Sequence, residues 1–215
     1  MPPRERRQLL RFLLAGAALP LLPSRGQAQA ASAIHELHGS VRVNGQPATV
    51  ATPIRAGDRV HTGPDGRVVF SSGGTALLLR GNTQMELRED AGSGVLRLVT
   101  GALLAVFGRG NARVETPTAT VGIRGTGTYF EVAPGETYLC TCYGSTDIQA
   151  AANAAVRDSV STQHHEAPRL IRDTVAGPVI EPAGVRNHSD DELILLESTV
   201  GRRVPFDTGG GYNYY

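Results

Sequence analysis

The stretch Ser40-Val41-Arg42-Val43-Asn44-Gly45, followed by Gly63-Pro64-Asp65-Gly66 and then Thr75-Ala76-Leu77-Leu78-Leu79-Arg80, decides the fold class. The first piece alternates apolar and polar residues and runs into Asn-Gly, the dipeptide that best tolerates the positive φ angles of a tight hairpin turn. In the second, Pro presets φ at one turn position and Gly permits φ > 0 at another. Outward from these, short apolar pieces recur: 68–71, 84–88, 95–100, 102–107, 112–116, 119–123, 129–132 and 137–143. They are separated by Gly73-Gly74, Gly81-Asn82 and similar punctuation. Pieces of this length and spacing, with no sustained helical period between residues 40 and 145, predict an all-β domain. The short turn spacing favours a β-roll or solenoid-like stack, with a two-sheet sandwich as the alternative. Strands are expected to continue at 147–150 and 156–163. The Ala-rich run between them is read as strand, with a helical turn as the alternative because Ala has the highest helix propensity.

One helix is expected, near 189–200. Ser189-Asp190-Asp191-Glu192 has the spacing of a capping box, Leu193, Leu196 and Val200 share a face, and Gly201 stands where a helix stops. The expected organisation is a leader over 1–30, a β domain over 31–168, a C-terminal appendage with the helix over 169–205, and a flexible tail over 206–215.

The leader has an export signal's three parts. Arg4, Arg6, Arg7 and Arg11 form a charged start, residues 12–22 are mostly apolar, and Ala28-Gln29-Ala30 is a small-x-small cleavage site. Arg6-Arg7 ahead of Leu9-Leu10 resembles the twin-arginine export pattern, whose passengers cross already folded. The mature chain is therefore expected in the periplasm or outside the cell after cleavage near Ala30, with no retained membrane span. The whole chain of 215 residues carries a net charge of +1. Without the five Arg and one Glu of the leader, 16 Arg stand against 19 acids, a net −3. A mildly acidic domain is a poor nucleic-acid binder. No Gly-x-Ser-x-Gly, P-loop or His-Glu-x-x-His pattern occurs, and nothing in the sequence predicts an enzyme.

Two motifs are specific. One is Gly57-Asp58-Arg59-Val60-His61-Thr62-Gly63, and the other is Thr116-Pro117-Thr118-Ala119-Thr120-Val121-Gly122-Ile123-Arg124-Gly125-Thr126. On these, and on 39–48 and 66–70, the segment 39–132 resembles the FecR domain family of bacteria. The resemblance implies an exported sensing or interaction module of the cell envelope, with a protein or polymer as partner. Family members in the ferric-citrate system add a cytoplasmic anti-sigma segment, which is not recognised here. Read on their own, the motif residues are architectural. Asp58 can accept from turn amides, Pro117 ends a strand because it cannot donate to a ladder, and Gly125 and Gly127 suit bends or close backbone approach.

The candidate chemistry lies elsewhere. Cys140-Thr141-Cys142 puts two thiols on one face of a strand. His164-His165 follow some twenty residues later, with His188 as an alternative ligand. Such a set suits zinc, copper or an iron–sulfur cluster with mixed ligands. Adjacent histidines can both reach it only at a bend or bulge. A strained, redox-active disulfide and two unrelated free thiols are the other readings. Three roles therefore stand open: a binding or sensing module with a metal site, a structural envelope scaffold, and an envelope thiol–disulfide protein. His35, His38 and His61 have no partner pattern and are expected at the surface.

Overall fold

The computed structural model describes residues 33–90 and 93–206. The expected leader over 1–30 and the tail from 207 onward lie outside the described residues. In chain order the strands are β1 Ala33–His38, β2 Val41–Val43, β3 Gln46–Pro47, β4 Arg59–Thr62, β5 Arg67–Ser72, β6 Thr75–Leu79 and β7 Gln84–Asp90. They continue with β8 Ser93–Val106, β9 Ala112–Glu115, β10 Ala119–Ala133, β11 Glu136–Ala150, β12 Arg157–Thr162, β13 Arg169–Thr174 and β14 Gly177–Pro182. One helix, α1, spans Asp190–Thr199. The protein is all-β with one short C-terminal helix, as the sequence predicts.

The main path of the sheet runs β14-β13-β11-β10-β9-β8-β7-β4-β2-β3, with β6 also on β8, β5 on β6, β1 on β5 and β12 on β11. Described pairings are antiparallel except β8 with β9. Three strands are long and change partners along their length. In β8, residues 94–97 pair with β9, and residues 101–106 pair with β10. β11 pairs with β13 through 136–139 and with β12 through 144–149. The sheet therefore rolls over on itself.

These long strands correct a reading of the sequence. Pieces expected as separate strands, such as 119–123 and 129–132, or 95–100 and 102–107, run on as single strands in β10 and β8, while the bend and close approach expected at Gly125 and Gly127 are present. The register of β10 against β11 slips on both sides of Gly127. Gly125 takes φ +57°, and a Cβ on Gly127 would lie 2.4 Å from the Tyr143 ring. A side chain at either position would cost strain or a steric clash. The expected hairpin at Asn44-Gly45 forms, with both residues at positive φ.

The expected strand over the Ala-rich run is a second correction. Residues 151–156 form the turn between β11 and β12. Asn153 organises it: its side chain accepts from Ala155 N–H at 3.0 Å and its carbonyl from Val156 N–H at 3.0 Å. Six residues joining two paired strands have no room for a helix, whatever the propensity of Ala. Beyond residue 168, β13 and β14 extend the same sheet through β11.

Both faces of the central strands are buried. Val68, Phe70, Leu77, Leu79, Leu103 and Phe130 point into the roll. Val69, Ala76, Leu78, Leu104, Val106 and Tyr129 point the other way, into a second cluster with Leu193 and Leu196 of α1. Alternation puts successive residues on opposite faces, so runs such as Leu77-Leu78-Leu79 feed both clusters at once. The helix is fastened at both ends. Arg80 donates to both Glu192 oxygens at 2.7 and 2.8 Å, and buried Glu197 accepts from Tyr143 Oη and, at 2.6 Å, from Arg202 Nε. Ser189 N–H donates to Glu192 at 3.2 Å, one half of the expected capping box. Leu193 and Leu196 are fully buried, each contributing about 1.5–3 kcal/mol relative to an exposed side chain.

Candidate functional site

The second cluster contains the chemistry-bearing residues. Cys140 and Cys142 sit on β11 with no solvent exposure, and both are free thiols. Thr141 between them turns to the opposite face and meets Thr146 Oγ1 at 2.8 Å. Past β12 the chain bends sharply. His165 takes φ +53°, and its N–H donates to the Cys142 carbonyl at 2.9 Å. That bend lets two adjacent histidines point toward one region. The His165 side chain is buried (3 % exposed), whereas His164 is 36 % exposed. A second positive φ, at Asn187 (+58°), delivers His188 from the segment before α1. Its ring stacks on Tyr129, with centroids 4.5 Å apart and planes 21° from parallel.

Four ligand atoms converge. His165 Nδ1 lies 3.4 Å from Cys140 Sγ and 3.0 Å from His188 Nε2. One ligand atom from each of Cys140, Cys142, His165 and His188 lies within 4.8 Å of every other, and all four residues are buried. The remaining ring nitrogens are also engaged. His165 Nε2 meets Asp190 Oδ1 at 3.1 Å, and His188 Nδ1 meets the Arg186 carbonyl at 2.7 Å. His164 faces the same carboxylate, at 2.9 and 3.0 Å from its two oxygens, and forms with His165 and Asp190 a second, more exposed three-residue group.

The two thiols differ in acidity. The Cys140 thiol is pulled far below its ordinary pKa by the hydrogen bond from Cys142, against the opposing cost of burial and with help from His165 and His188. Cys142 is pushed the other way by burial first and by its neighbour second. Burial pulls the His165 pKa down, but its bonds to Cys140 and Asp190 outweigh that and raise it. Of the two thiols, that of Cys140 gives up its proton the more readily. With all four residues buried, the thiolate is shielded from a substrate. The arrangement fits holding an ion better than attacking a molecule.

The motif residues are elsewhere and hold turns. Gly57 N–H donates to the Leu87 carbonyl at 2.7 Å, with φ +90°. Asp58 accepts from Arg55 N–H at 2.6 Å and Asn44 Nδ2 at 2.7 Å, as its turn position suggests. Buried Thr62 donates to the Arg80 carbonyl at 2.5 Å and accepts from Thr83 N–H at 2.9 Å. Gly63 N–H bonds the Ser40 carbonyl at 2.8 Å. Thr116 accepts from Ala119 N–H at 3.0 Å, with exposed Pro117 in the turn between β9 and β10. Thr126 donates to the Ser145 carbonyl at 3.0 Å, and exposed Arg124 pairs with Asp147 at 2.8 Å. His35, His38 and His61 are exposed, on strands β1 and β4. A separate cavity of about 630 Å³ has a floor that includes Ile54, Leu77 and Phe107, with Arg55, Arg88 and Arg109 among its lining residues.

Sequence reasoning missed Asp190 and the Arg186 carbonyl. The signal for Asp190 was its place two residues after His188 in an acid-rich first helical turn. A main-chain carbonyl leaves no signal.

In sequence, residues 58–145 match the family model described as FecR protein. This FecR-like segment runs from the turn before β4 into β11 and includes both cysteines, but neither His165 nor His188. A search of curated proteins gave no match. In fold, the chain is similar to two crystal structures of a candidate anti-sigma factor from Parabacteroides distasonis. Each has a TM-score of 0.49 at 10 % identity, over 59 % of this chain and 60 % of that one. No helix among the described residues is long and apolar enough to cross a membrane.

Proposed function

We propose that this chain is an exported, non-catalytic sensing or binding module of the bacterial cell envelope, of the FecR kind, whose C-terminal segment is held on the sheet by a metal ion. One observation carries the reading. The FecR-like stretch ends in β11, on whose outer face the two thiols meet two histidines from outside that stretch. The polar motif residues are taken up by turn hydrogen bonds, and the thiols are out of a substrate's reach; both points favour binding over catalysis. The Arg6-Arg7 leader and the small-x-small site at residue 30 support export, and a passenger that crosses folded can carry an ion loaded inside the cell. The partner would be an envelope protein or polymer, held by the surface rather than by the buried cluster.

The test is fractionation of cells expressing the full chain with its own N-terminus. The expected result is a periplasmic species shorter by about thirty residues, dependent on Arg6 and Arg7, that co-purifies with a metal. A full-length species confined to the cytoplasm would overturn the export reading, and a folded, metal-free periplasmic species would overturn the metal reading.

A further inference from the structure

We infer that the cluster is a closed, tetrahedral zinc site whose ligand atoms are Cys140 Sγ, Cys142 Sγ, His165 Nδ1 and His188 Nε2, with His164 outside it and with Asp190 and the Arg186 carbonyl orienting the two imidazoles. This rests on the metal reading above and fixes its ion, its ligand atoms and its supporting partners.

The distances carry the argument. Zinc bonds sulfur at about 2.3 Å and imidazole nitrogen at about 2.0–2.1 Å, so the edges of a Cys2His2 tetrahedron are about 3.3–3.8 Å. Cys140 Sγ to His165 Nδ1 is 3.4 Å and His165 Nδ1 to His188 Nε2 is 3.0 Å, and one ligand atom from each of the four residues lies within 4.8 Å of every other. One ion fits between them after small side-chain adjustments. A two-iron cluster with thiolates on one iron and imidazoles on the other does not, because it would separate sulfur from nitrogen by more than a shared ion does. Blue-copper sites use one thiolate, two histidines and a weak axial ligand, whereas here two thiolates converge. Four protein ligands would fill a tetrahedral ion's coordination with no position left for water or substrate, as in structural rather than catalytic zinc sites, and all four residues are buried.

The surroundings point the same way. A metal-bound histidine typically donates its other ring N–H to a carboxylate or a backbone carbonyl. Both histidines have such a partner: Asp190 Oδ1 on His165 Nε2, and the Arg186 oxygen on His188 Nδ1. These contacts fix which nitrogen of each ring faces the thiols. His164 instead presents its Nε2 to Asp190 from the half-exposed side.

The ion would join three segments that are distant in sequence. The thiols belong to β11, His165 to the turn after β12, and His188 and Asp190 to the start of α1. Binding free energy then becomes folding free energy for the C-terminal segment.

The experiment uses the full chain and four single variants, with zinc content by elemental analysis and cobalt(II) substitution as the optical readout. Wild type is expected to hold one zinc per chain, and its cobalt form to give the sulfur-to-cobalt charge-transfer band and the intense visible bands of a tetrahedral ion. His188→Ala should lower zinc affinity at least a hundredfold. His164→Ala should keep both stoichiometry and spectrum. Asp190→Asn should keep the spectrum and weaken affinity about 10–100-fold. His188→Cys guards against a folding failure: it should restore binding with a stronger thiolate band. Zinc lost in His164→Ala but kept in His188→Ala, with no sulfur band, would place the ion at His164, His165 and Asp190. That outcome would overturn this inference and leave the metal reading standing. A cobalt spectrum that is not tetrahedral, or copper retained in preference to zinc, would also overturn it. No bound metal in folded wild type would end both.

Discussion

The two faces of the same strands are built from different chemistry. The face turned into the roll is mainly aliphatic with Phe70, Phe107 and Phe130, and among the described residues its hydrophobic cluster contains no tyrosine or cysteine, although buried Thr141 turns to that side. The face under α1 holds Tyr129, Tyr138, Tyr143, Cys140 and Cys142 beside its leucines, with buried His165, His188 and Glu197 against it. The inner face is closed by the sheet's own strands and is packed mainly by apolar side chains. The outer face is closed by a C-terminal segment whose ten-residue helix would be marginal on its own, so polar fastenings and, in our account, an ion must supply the rest. One sheet therefore has a self-sufficient side and a side whose closure depends on a ligand.

Substitutions on each face should separate these two kinds of closure. The largest effect is expected from the double change Cys140→Ser and Cys142→Ser. It should abolish zinc binding and lower Tm by roughly 10–20 °C, on the order of 5 kcal/mol for a chain of this size. Calorimetry with elemental analysis checks it; an unchanged Tm would mean that the outer side closes without an ion. Next comes Phe130→Ala on the inner face, with an expected loss of about 3–5 kcal/mol by urea unfolding. Here the metal content should stay at its wild-type level, because the folded fraction still assembles the outer site.

Gly127→Ala sits where the strand bends. Its new Cβ would approach Tyr143 Cε1 to 2.4 Å, and the expected cost is about 1–3 kcal/mol. The displaced tyrosine should also loosen its bond to Glu197, visible as faster hydrogen exchange in α1. The smallest effect is expected from Arg124→Ala. Its partner Asp147 is exposed, so stability should change by about 0–1 kcal/mol and less at high salt. A clear loss of stability would mean that this motif arginine does more than pair at the surface.

Much of the fold was legible because alternation and turn chemistry are local. Asn44-Gly45 specified its hairpin, and Ser189 to Glu192 marked the start of the helix to within one residue. The doubly apolar runs at 77–79 and 103–106 also carried information that was not used: strands apolar on both faces require a second covering layer. The partner changes of β8, β10 and β11 were not legible, since a glycine that bends a paired strand and one that ends it look alike in sequence. The run 151–156 turns instead of continuing as the expected strand because Ala150 N–H bonds back to the Val156 carbonyl across two paired strands, a long-range pairing that local alternation does not reveal. At the site, i and i+2 spacing already put the two cysteines on one face, and the need for a bend at the two histidines was stated. His188, an alternative in the sequence, lies in one buried group with the two cysteines and His165. Its route to the thiols depends on left-handed backbone at Asn187 and on stacking against Tyr129, both long-range outcomes of folding.

On the zinc reading, an ion closes the outer face and not the inner one. Hydrogen exchange on the full chain, before and after removal of zinc by a chelator, tests it most directly. The predicted result is loss of protection at 163–168, 183–189 and across α1, with β5, β6 and the 128–132 part of β10 still protected. Uniform loss across both faces, or no change at α1, would contradict it.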